Sequence, residues 1–211
     1  MSQNRSHAVM AQRHEARDSV DDFPTPPWAT RALMEHAVIG QGFRRDTLSE
    51  MTCWEPACGR GYMAGVLVDY FDSVRVSDIV RYTENDPLDF LAPSRAKVDW
   101  IITNPPFRLG LEFALTALER AKVGVAIFAR SNWGEGVERY RRLFGVHKPA
   151  IVAQFVERVP LVKGRVDQKA STATSYSWFV WHVDGRWHFD TRHVWIPPCR
   201  KLLEREGDYT R

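Results

Sequence analysis

The residues best suited to chemistry are the run Asn104-Pro105-Pro106-Phe107, which we call the NPPF loop. It follows the apolar segment Val98–Thr103, which predicts a buried strand ending where open α/β sheets bind their ligands. Two prolines restrict the backbone, so the Asn104 side-chain carbonyl and the Pro105 backbone carbonyl can act as parallel acceptors. Such acceptors suit an amino group and would direct its lone pair towards an electrophilic methyl carbon. Phe107 either stacks a planar ring or closes the core.

A glycine-rich run precedes this loop in the sequence. Gly59 and Gly61 lie where a predicted strand ends and a helix begins, so the backbone can turn tightly and approach a ligand next to unpaired helix N–H groups. Asp78 follows at the end of the next predicted strand, where a carboxylate can accept hydrogen bonds from ribose hydroxyls. This spacing predicts an adenosine-type cofactor.

Two cofactors compete for the glycine loop. The run from Gly59 to Ala64 fits the loose dinucleotide fingerprint, with an acid near the expected distance. Glu55 stands on the same turn, however, and a carboxylate there repels a pyrophosphate but attracts the ammonium group of a methionine moiety. The charge of Glu55 therefore favours S-adenosylmethionine over a nicotinamide dinucleotide. Helix packing alone is a further explanation for the glycines.

The elements that must hold these residues alternate between short apolar runs and helical patterns, which predicts an α/β fold with a mostly parallel sheet. Strands are predicted at 52–57, 74–79, 98–103, 123–129, 151–156, 175–183 and near 187–196, and helices at 29–38, 62–71, 109–121 and 137–144. Asp184-Gly185 is a strong hairpin signal between the last two strands, so the sheet is expected to end antiparallel. Residues 1–22 are expected to form a disordered tail, and 23–211 a single domain.

The composition is typical of a globular protein. Of the 211 residues 44% are hydrophobic, and no apolar run approaches the roughly 20 residues needed to cross a bilayer. A soluble, cytoplasmic protein with no membrane partner is expected. Cys53, Cys58 and Cys199 show no C-x-x-C spacing, and the histidines near the C-terminus, His182, His188 and His193, fit no common ligand pattern. Neither a disulfide nor a metal site is expected.

The order of these motifs resembles that of the S-adenosylmethionine-dependent amino methyltransferases, particularly the small phage-type and restriction-type adenine-N6 DNA enzymes. The likeness covers about residues 23–130 and includes Thr25-Pro26 ahead of the glycine loop. It implies a Rossmann-like class I methyltransferase fold with helices on both faces of the sheet and an antiparallel C-terminal hairpin. It also implies transfer of a methyl group to N6 of a flipped adenine in DNA by direct in-line attack.

The resemblance also implies roles for individual residues. Thr25, Pro26 and the glycine loop would enclose the methionine end of the cofactor, Asp78 would bind the ribose, and Ile79 with the run Asp89-Phe90-Leu91 would contact the cofactor adenine. The full cofactor set is Thr25, Pro26, Glu55, Pro56, Ala57, Gly59, Gly61, Asp78, Ile79, Asp89, Phe90 and Asn104. The catalytic set is Asn104, Pro105, Pro106 and Phe107.

The distribution of charge favours a polyanionic partner, and the resemblance implies that this partner is DNA. Residues 1–129 carry 14 basic and 17 acidic side chains, whereas residues 130–211 carry 15 and 9. Candidate contacts lie in two loops that are equally well explained as solvated connections: Arg130 and Trp133 in one, and Lys163, Arg165 and Lys169 in the other. No length remains for a separate recognition domain, so target recognition could come from a partner protein or a dimer.

Other acceptors and functions stay open at this point. Adenine N6 or guanine N2 in RNA and the side-chain amide of a protein glutamine all present an –NH₂ group to Asn104 and Pro105. The phenylalanine after the two prolines favours nucleobases, through the resemblance alone. A non-catalytic module that only binds the cofactor is a third alternative, against which the intact Asn104 and Pro105 argue.

Overall fold

The structure is a computed structural model that describes residues 21–82, 86–185 and 190–210. Seven strands in these ranges form one sheet: β1 (Thr52–Glu55), β2 (Ser73–Val76), β3 (Val98–Thr103), β4 (Ala121–Arg130), β5 (Ile151–Phe155), β6 (Tyr176–His182) and β7 (Arg192–Ile196). Their spatial order is β2-β1-β3-β4-β6-β5-β7. β6 runs antiparallel to β4 and β5, and the other pairs are parallel. The mostly parallel α/β sheet predicted from the sequence is confirmed.

Helices connect the strands. The first, α1 (Pro27–Ala32), continues as a π-helix over Leu33–Val38, and α4 (Gly110–Arg120) is the longest α-helix in the described ranges. The shorter ones are α2 (Arg45–Leu48), α3 (Ala64–Leu67), α5 (Val137–Arg139), which continues as a π-helix over Tyr140–Phe144, and α6 (Arg200–Leu203). Single 3-10 turns lie at Ile39–Gln41, Phe107–Leu109 and Ser131–Gly134.

The core lies on both faces of the sheet, because successive side chains of a strand point to opposite sides. Trp100 and Ile102 of β3 pack on one face with α1, its π-helical extension and Trp178 of β6. Ile101, between them in the sequence, packs on the other face with Phe113 of α4. Helices therefore cover both faces, as expected. The carboxyl ends of the parallel strands β1, β3 and β4 share one edge, where the candidate residues gather.

The antiparallel part of the sheet differs in its pairing from the sequence prediction. Asp184-Gly185 was predicted to join two strands that pair with each other, but β5 lies between β6 and β7. The antiparallel C-terminal hairpin is formed instead by β5 and β6, with Ile151 opposite Val180. Both edges of β6 are taken by β4 and β5, so β7 pairs with the outer edge of β5 in parallel. Residues 186–189, which begin the predicted last strand, lie outside the described residues.

The strand and helix boundaries depart from the predictions where side chains interrupt the backbone pattern. β1 ends at Glu55 rather than at residue 57, since Pro56 has no N–H to donate to a neighbouring strand. The helix predicted over 62–71 is α-helical only in α3 (Ala64–Leu67). After it, the Tyr70 N–H bonds to the Leu67 carbonyl three residues earlier at 3.0 Å, which is a tighter turn than that of an α-helix. β3 has the predicted bounds.

The predicted tail lies mostly outside the described residues, because the description begins at residue 21. Asp21 and Asp22, which were assigned to that tail, belong to the wall of a cavity described below. Within the described ranges, the helices are too short or too polar to pass through a lipid bilayer.

Candidate active site

The NPPF loop leaves the end of β3 and is held by residues 21–25, which we call the N-terminal strap. The Asn104 Nδ2 group donates a hydrogen bond to the Phe23 carbonyl at 2.8 Å. A carbonyl only accepts, so this bond determines which end of the amide is the donor and leaves Oδ1 as the acceptor. This orientation is the one that the sequence-based hypothesis requires of Asn104.

A second contact joins the strap to the other end of the loop. The Phe107 backbone N–H donates to Oδ2 of Asp21 at 2.6 Å, and the ring centroids of Phe23 and Phe107 lie 5.7 Å apart. Hydrogen bonds to a charged acceptor are stronger than those between neutral groups. The strap thus contacts both ends of the NPPF loop.

A first cavity of about 210 Å³ lies between the strap and the glycine loop. Most of the residues that the resemblance implies for the cofactor line it: Thr25, Glu55, Pro56, Ala57, Gly59, Asp78, Ile79, Asp89, Phe90 and Asn104. Two members of that set, Pro26 and Gly61, do not contribute to the wall. Pro26 is buried immediately before α1, and the Gly61 N–H closes a turn onto the Cys58 carbonyl at 2.8 Å.

Asp78 anchors the glycine loop. Gly59 and Gly61 have φ angles of 51° and 79°, in the left-handed region that glycine adopts without strain. The Gly59 N–H donates to Asp78 Oδ2 and the Val80 N–H to Asp78 Oδ1, both at 2.9 Å. A carboxylate offers about four acceptor positions, so Asp78 keeps capacity for a ligand hydroxyl while it fixes the loop.

Glu55 is a buried carboxyl group in the wall of this cavity. Its side chain is 3% exposed, and burial raises the pKa of Glu55 well above its ordinary value, with a smaller contribution from the charge of Asp78. A hydrogen bond from the Ala64 backbone acts in the opposite direction. Oε2 of Glu55 and Oγ1 of Thr25 have no hydrogen-bond partner among the described residues. Buried polar atoms in this state favour a ligand that donates to them, such as an ammonium group.

The other end of the first cavity is more apolar. The Ile79 side chain is 64% exposed at the cavity wall, where it offers an apolar surface. Phe90 is buried edge-on against Trp54, with ring centroids 5.1 Å apart, and its carbonyl accepts a hydrogen bond from Arg120 Nη1 at 2.5 Å. Asp89 accepts the Leu91 N–H at 2.8 Å, which closes the turn before Phe90. This end suits a flat heterocycle.

A second cavity of about 220 Å³ lies on the opposite side of the NPPF loop. Asn104 and Pro106 line the first cavity, whereas Pro105 and Phe107 line the second. The remaining wall of the second cavity comes from the start of α4, the end of β4 and the turn after it: Gly110, Phe128, Ala129, Arg130, Asn132, Trp133 and Arg139. The NPPF loop is therefore a partition between two cavities.

The sequence matches no protein-family model and no curated protein, whereas solved structures match its fold. The type I restriction-modification methyltransferase subunit from Streptococcus thermophilus aligns with a TM-score of 0.62 and 12% identity over 89% of this chain and 50% of its own. A Listeria monocytogenes protein described as a class I S-adenosylmethionine-dependent methyltransferase aligns with a TM-score of 0.58 and 13% identity, over 86% of this chain and 68% of its own. A Pyrococcus horikoshii protein described as an RNA methyltransferase aligns with a TM-score of 0.52 and 16% identity, over 76% of this chain and 86% of its own.

The chain has the Rossmann-like fold of the class I methyltransferases. The predicted fold class is confirmed. At these identities the likeness concerns the fold, and the chain spans about half the length of the restriction-modification subunit.

The residues predicted to contact nucleic acid separate into two groups in this methyltransferase fold. Arg130 and Trp133 line the second cavity, although Trp133 is 9% exposed and packs against Phe179 at 5.0 Å between ring centroids. The other group, Lys163, Arg165 and Lys169, lines neither cavity. Their loop contacts the strap instead, since the Gly164 N–H donates to the Asp22 carbonyl at 2.8 Å.

Sequence reasoning missed several residues of the site. Asp21, Asp22 and Phe23 complete the first cavity and hold the NPPF loop, and Arg139 lines the second cavity. Asp21 and Asp22 directly precede the Phe-Pro-Thr-Pro run, and this adjacency was the one sign in the sequence that they belong to the site. Arg139 is distant in sequence from the NPPF loop, so only the folded chain brings the two together.

In the described part of the chain, no three side chains of His, Cys, Asp or Glu come together in an arrangement suited to a metal ion. His182 stacks on Phe43 with ring centroids 5.1 Å apart, and His193 contacts Trp195. His188 lies outside the described residues. Cys53, Cys58 and Cys199 are buried free thiols.

Proposed function

We propose that this chain transfers the methyl group of S-adenosylmethionine to the N6 amino group of adenine in DNA. The observation that carries the proposal is the partition formed by the NPPF loop. Asn104 and Pro106 face one cavity while Pro105 and Phe107 face the other. A methyl donor in the first cavity and an amino acceptor in the second would meet at this loop.

The first cavity supports S-adenosylmethionine as the donor. The unpartnered oxygens of Glu55 and Thr25 suit the methionine ammonium group, and Asp78 has acceptor capacity for ribose hydroxyls. Ile79 and Phe90 offer the apolar surface that an adenine ring requires. Two carboxylates near the glycine loop disfavour a pyrophosphate, which argues against a dinucleotide. When bound, the sulfonium group supplies an electrophilic methyl carbon.

Asn104 and Pro105 would orient the acceptor. Oδ1 of Asn104 and the Pro105 carbonyl each accept one hydrogen of the amino group, so the nitrogen lone pair is directed towards the first cavity. Transfer would form the nitrogen–carbon bond and break the carbon–sulfur bond, whose electron pair would stay on sulfur, and the cationic nitrogen would then release one proton to water. Positioning and electrostatics account for the rate in this scheme, because both acceptors are fixed before the reaction begins.

The second cavity supports a nucleobase as the acceptor. Phe107 and Trp133 give it aromatic walls, and stacking of a base on an aromatic side chain contributes about 1–3 kcal/mol. Two arginines, Arg130 and Arg139, lie in the same wall, which suits a charged nucleic-acid strand better than a protein glutamine. The named activity of the Streptococcus thermophilus neighbour, a restriction-modification methyltransferase subunit, favours DNA over RNA.

The test is transfer of an isotopically labelled methyl group from S-adenosylmethionine to duplex DNA, single-stranded DNA, total RNA and protein. Digestion and mass spectrometry then identify the methylated product. We expect N6-methyladenine in DNA, and its loss in Asn104→Ala. Label in RNA or in glutamine would retain the mechanism and overturn the substrate, whereas no label in any pool would favour a non-catalytic binding module.

A further inference from the structure

Two arginines without a carboxylate partner among the described residues line the second cavity, and a third is hydrogen-bonded to a residue next to its wall. Arg130 and Arg139 line it. Arg158 reaches the same region through Ser175: its Nη1 donates to the Ser175 hydroxyl, and the Ser175 carbonyl accepts the N–H of Ser131 at 2.9 Å. Ser131 directly follows Arg130, so the hydrogen-bond partner of Arg158 is bonded to the backbone next to the wall of the second cavity.

Several other arginines of the described residues pair with acids instead. Arg31 bonds to Asp208 at 2.7 Å, and Arg142, in the same helical segment as Arg139, lies 3.4 Å from Glu112. Arginines in such pairs have their charge balanced within the protein. The positive charge at the second cavity is not balanced in this way, and a surface of this kind attracts an anion.

Arg139 is held in a defined position rather than extended into solvent. Its Nε donates to the Glu135 carbonyl at 2.8 Å. Its guanidinium lies over Gly136, where a Cβ atom would come within 2.9 Å of Nη2 and where φ is 112°. Gly136 thus provides the space that this side chain occupies. The Nη groups of Arg139 have no acceptor among the described residues and are available to a ligand.

Arg130 covers the ring of Phe107, with Cζ 5.1 Å from the ring centroid. This is one face of the ring on which a base in the second cavity would stack. Base–aromatic stacking is stronger than an exposed cation–π contact, so a base can replace the guanidinium there. The displaced side chain would remain at the cavity, with its charge available to the strand that carries the base.

We propose that Arg130, Arg139 and Arg158 form a seat for the phosphodiester backbone of the DNA strand whose base enters the second cavity. The inference rests on the proposed function, because it takes the second cavity as the acceptor site. Guanidinium groups suit phosphate oxygens, which they can contact in pairs of parallel hydrogen bonds. Lys163 and Lys169 are not part of this seat.

The test is the salt dependence of DNA binding by the full chain, measured without S-adenosylmethionine. The probe is a fluorescently labelled duplex of randomised sequence, followed by anisotropy between about 50 and 200 mM salt. We compare Arg139→Gln and Arg158→Gln with Arg142→Gln, a matched control whose charge is already paired with Glu112. The double variant Lys163→Ala with Lys169→Ala tests the loop outside the seat.

We expect each seat variant to reduce the slope of log affinity against log salt by about 0.9, and to weaken binding about five- to tenfold near 0.1 M salt. Arg142→Gln should give the same slope as the parent within experimental error. Equal slopes in the parent and both seat variants, or a reduction confined to the lysine variant, would overturn the seat. Binding of an RNA strand of the same sequences, with no binding of DNA, would overturn the commitment to DNA.

The methyl-transfer assay separates this inference from the proposed function. A chain that methylates DNA but binds it with an unaltered slope in the seat variants loses the seat and keeps the function. A chain that binds DNA through the seat but methylates none keeps the seat and loses the function. Thermal unfolding of each variant shows whether a change in affinity reflects the seat or a loss of fold.

Discussion

The two cavities on either side of the NPPF loop differ in the charge of their walls. The first carries the carboxyl groups of Glu55 and Asp78, and the second carries Arg130 and Arg139 beside aromatic rings. Carboxylates favour a ligand with positive charge, and guanidinium groups favour one with negative charge. A cationic donor and a polyanionic acceptor would each be drawn to the correct side, and each would be repelled from the other.

The partition itself differs from both cavities, since it is held by hydrogen bonds rather than shaped by charge. The strap binds the NPPF loop at Asn104 and at Phe107, with bonds of 2.8 and 2.6 Å. A wall between two ligands must keep its acceptors in place while either ligand is absent. Rigidity is therefore expected to matter most at the loop, and charge at the two cavities.

The largest effect is expected from Asn104→Ala, which removes one acceptor from the partition. We expect kcat for methyl transfer to fall by about 10²–10³-fold or more, the usual cost of losing one group that orients or stabilises the reacting atoms. Affinity for S-adenosylmethionine should change less than twofold in calorimetry, because Asn104 is one wall residue of many. Comparable turnover in the variant would remove Asn104 from catalysis.

Asn104→Asp sharpens the same comparison. Aspartate keeps an acceptor but cannot donate to the Phe23 carbonyl, so its carboxylate and that carbonyl repel each other. We expect turnover well below that of the parent. Near-parent turnover would mean that the orientation of the amide is unimportant.

The charge of the first cavity is tested by Glu55→Gln. An ammonium group bonded to a carboxylate contributes about 1.5–3 kcal/mol, so we expect affinity for S-adenosylmethionine to fall about 10- to 100-fold. Glu50→Gln, which removes an exposed carboxylate nearby in the sequence, is the matched control. Equal affinities in the two variants would contradict the role of Glu55.

The raised pKa of Glu55 also predicts the dependence on pH. The free protein holds this carboxyl protonated below its raised pKa, whereas a cationic ligand requires the ionised form. Affinity should therefore increase as pH rises through that pKa, and this dependence should vanish in Glu55→Gln.

The free energy of unfolding of the free protein changes with pH in the opposite direction. The unfolded chain ionises Glu55 from about pH 4.5 upwards, so the folded state loses stability as pH rises towards the raised pKa. The free Glu55→Gln variant should melt at a higher temperature than the parent near neutral pH.

Asp78→Ala is expected to have a smaller effect on affinity, about tenfold, for the loss of charged hydrogen bonds to ribose. The variant also releases the Gly59 and Val80 N–H groups, so Asp78→Asn, which keeps a single acceptor oxygen, should fall between it and the parent. Turnover at saturating S-adenosylmethionine should be preserved, in contrast to Asn104→Ala. Unchanged affinity in calorimetry would contradict the ribose contact.

Much of the fold could be predicted because its strands are continuous apolar runs with polar boundaries. β3 begins and ends at the predicted residues, since Val98–Thr103 is almost entirely buried and the prolines that follow cannot extend it. β2 covers Ser73–Val76 rather than 74–79, because the Asp78 carboxylate binds the Gly59 and Val80 N–H groups. A side chain that captures backbone groups across a loop leaves no periodic signal.

The site was predictable where its residues form motifs in the sequence, and unpredictable where the fold brings distant segments together. The first cavity collects most of the residues of the glycine loop and of the segments after β2. The pairing of β5 with β6 and the position of Arg139 in the same cavity wall as Phe107 depend on tertiary packing. The position of Asp21 also depends on tertiary packing, since the composition of residues 1–22 predicts only a disordered tail.

An effect as small as that of Asp78→Ala is expected at Asp21, which we regard as a positioning residue of the partition. It contacts the NPPF loop through the Phe107 N–H, so Asp21→Ala should lower kcat by about tenfold, the equivalent of one hydrogen bond to a charged group. Asp21→Asn keeps an acceptor at the same place and should restore most of that loss. The KM for S-adenosylmethionine should change less than kcat, because a misplaced loop affects the reaction more than the binding of the donor. If both variants instead raised KM and left kcat unaltered, the strap would serve the first cavity alone, and the partition would owe its rigidity to the two prolines.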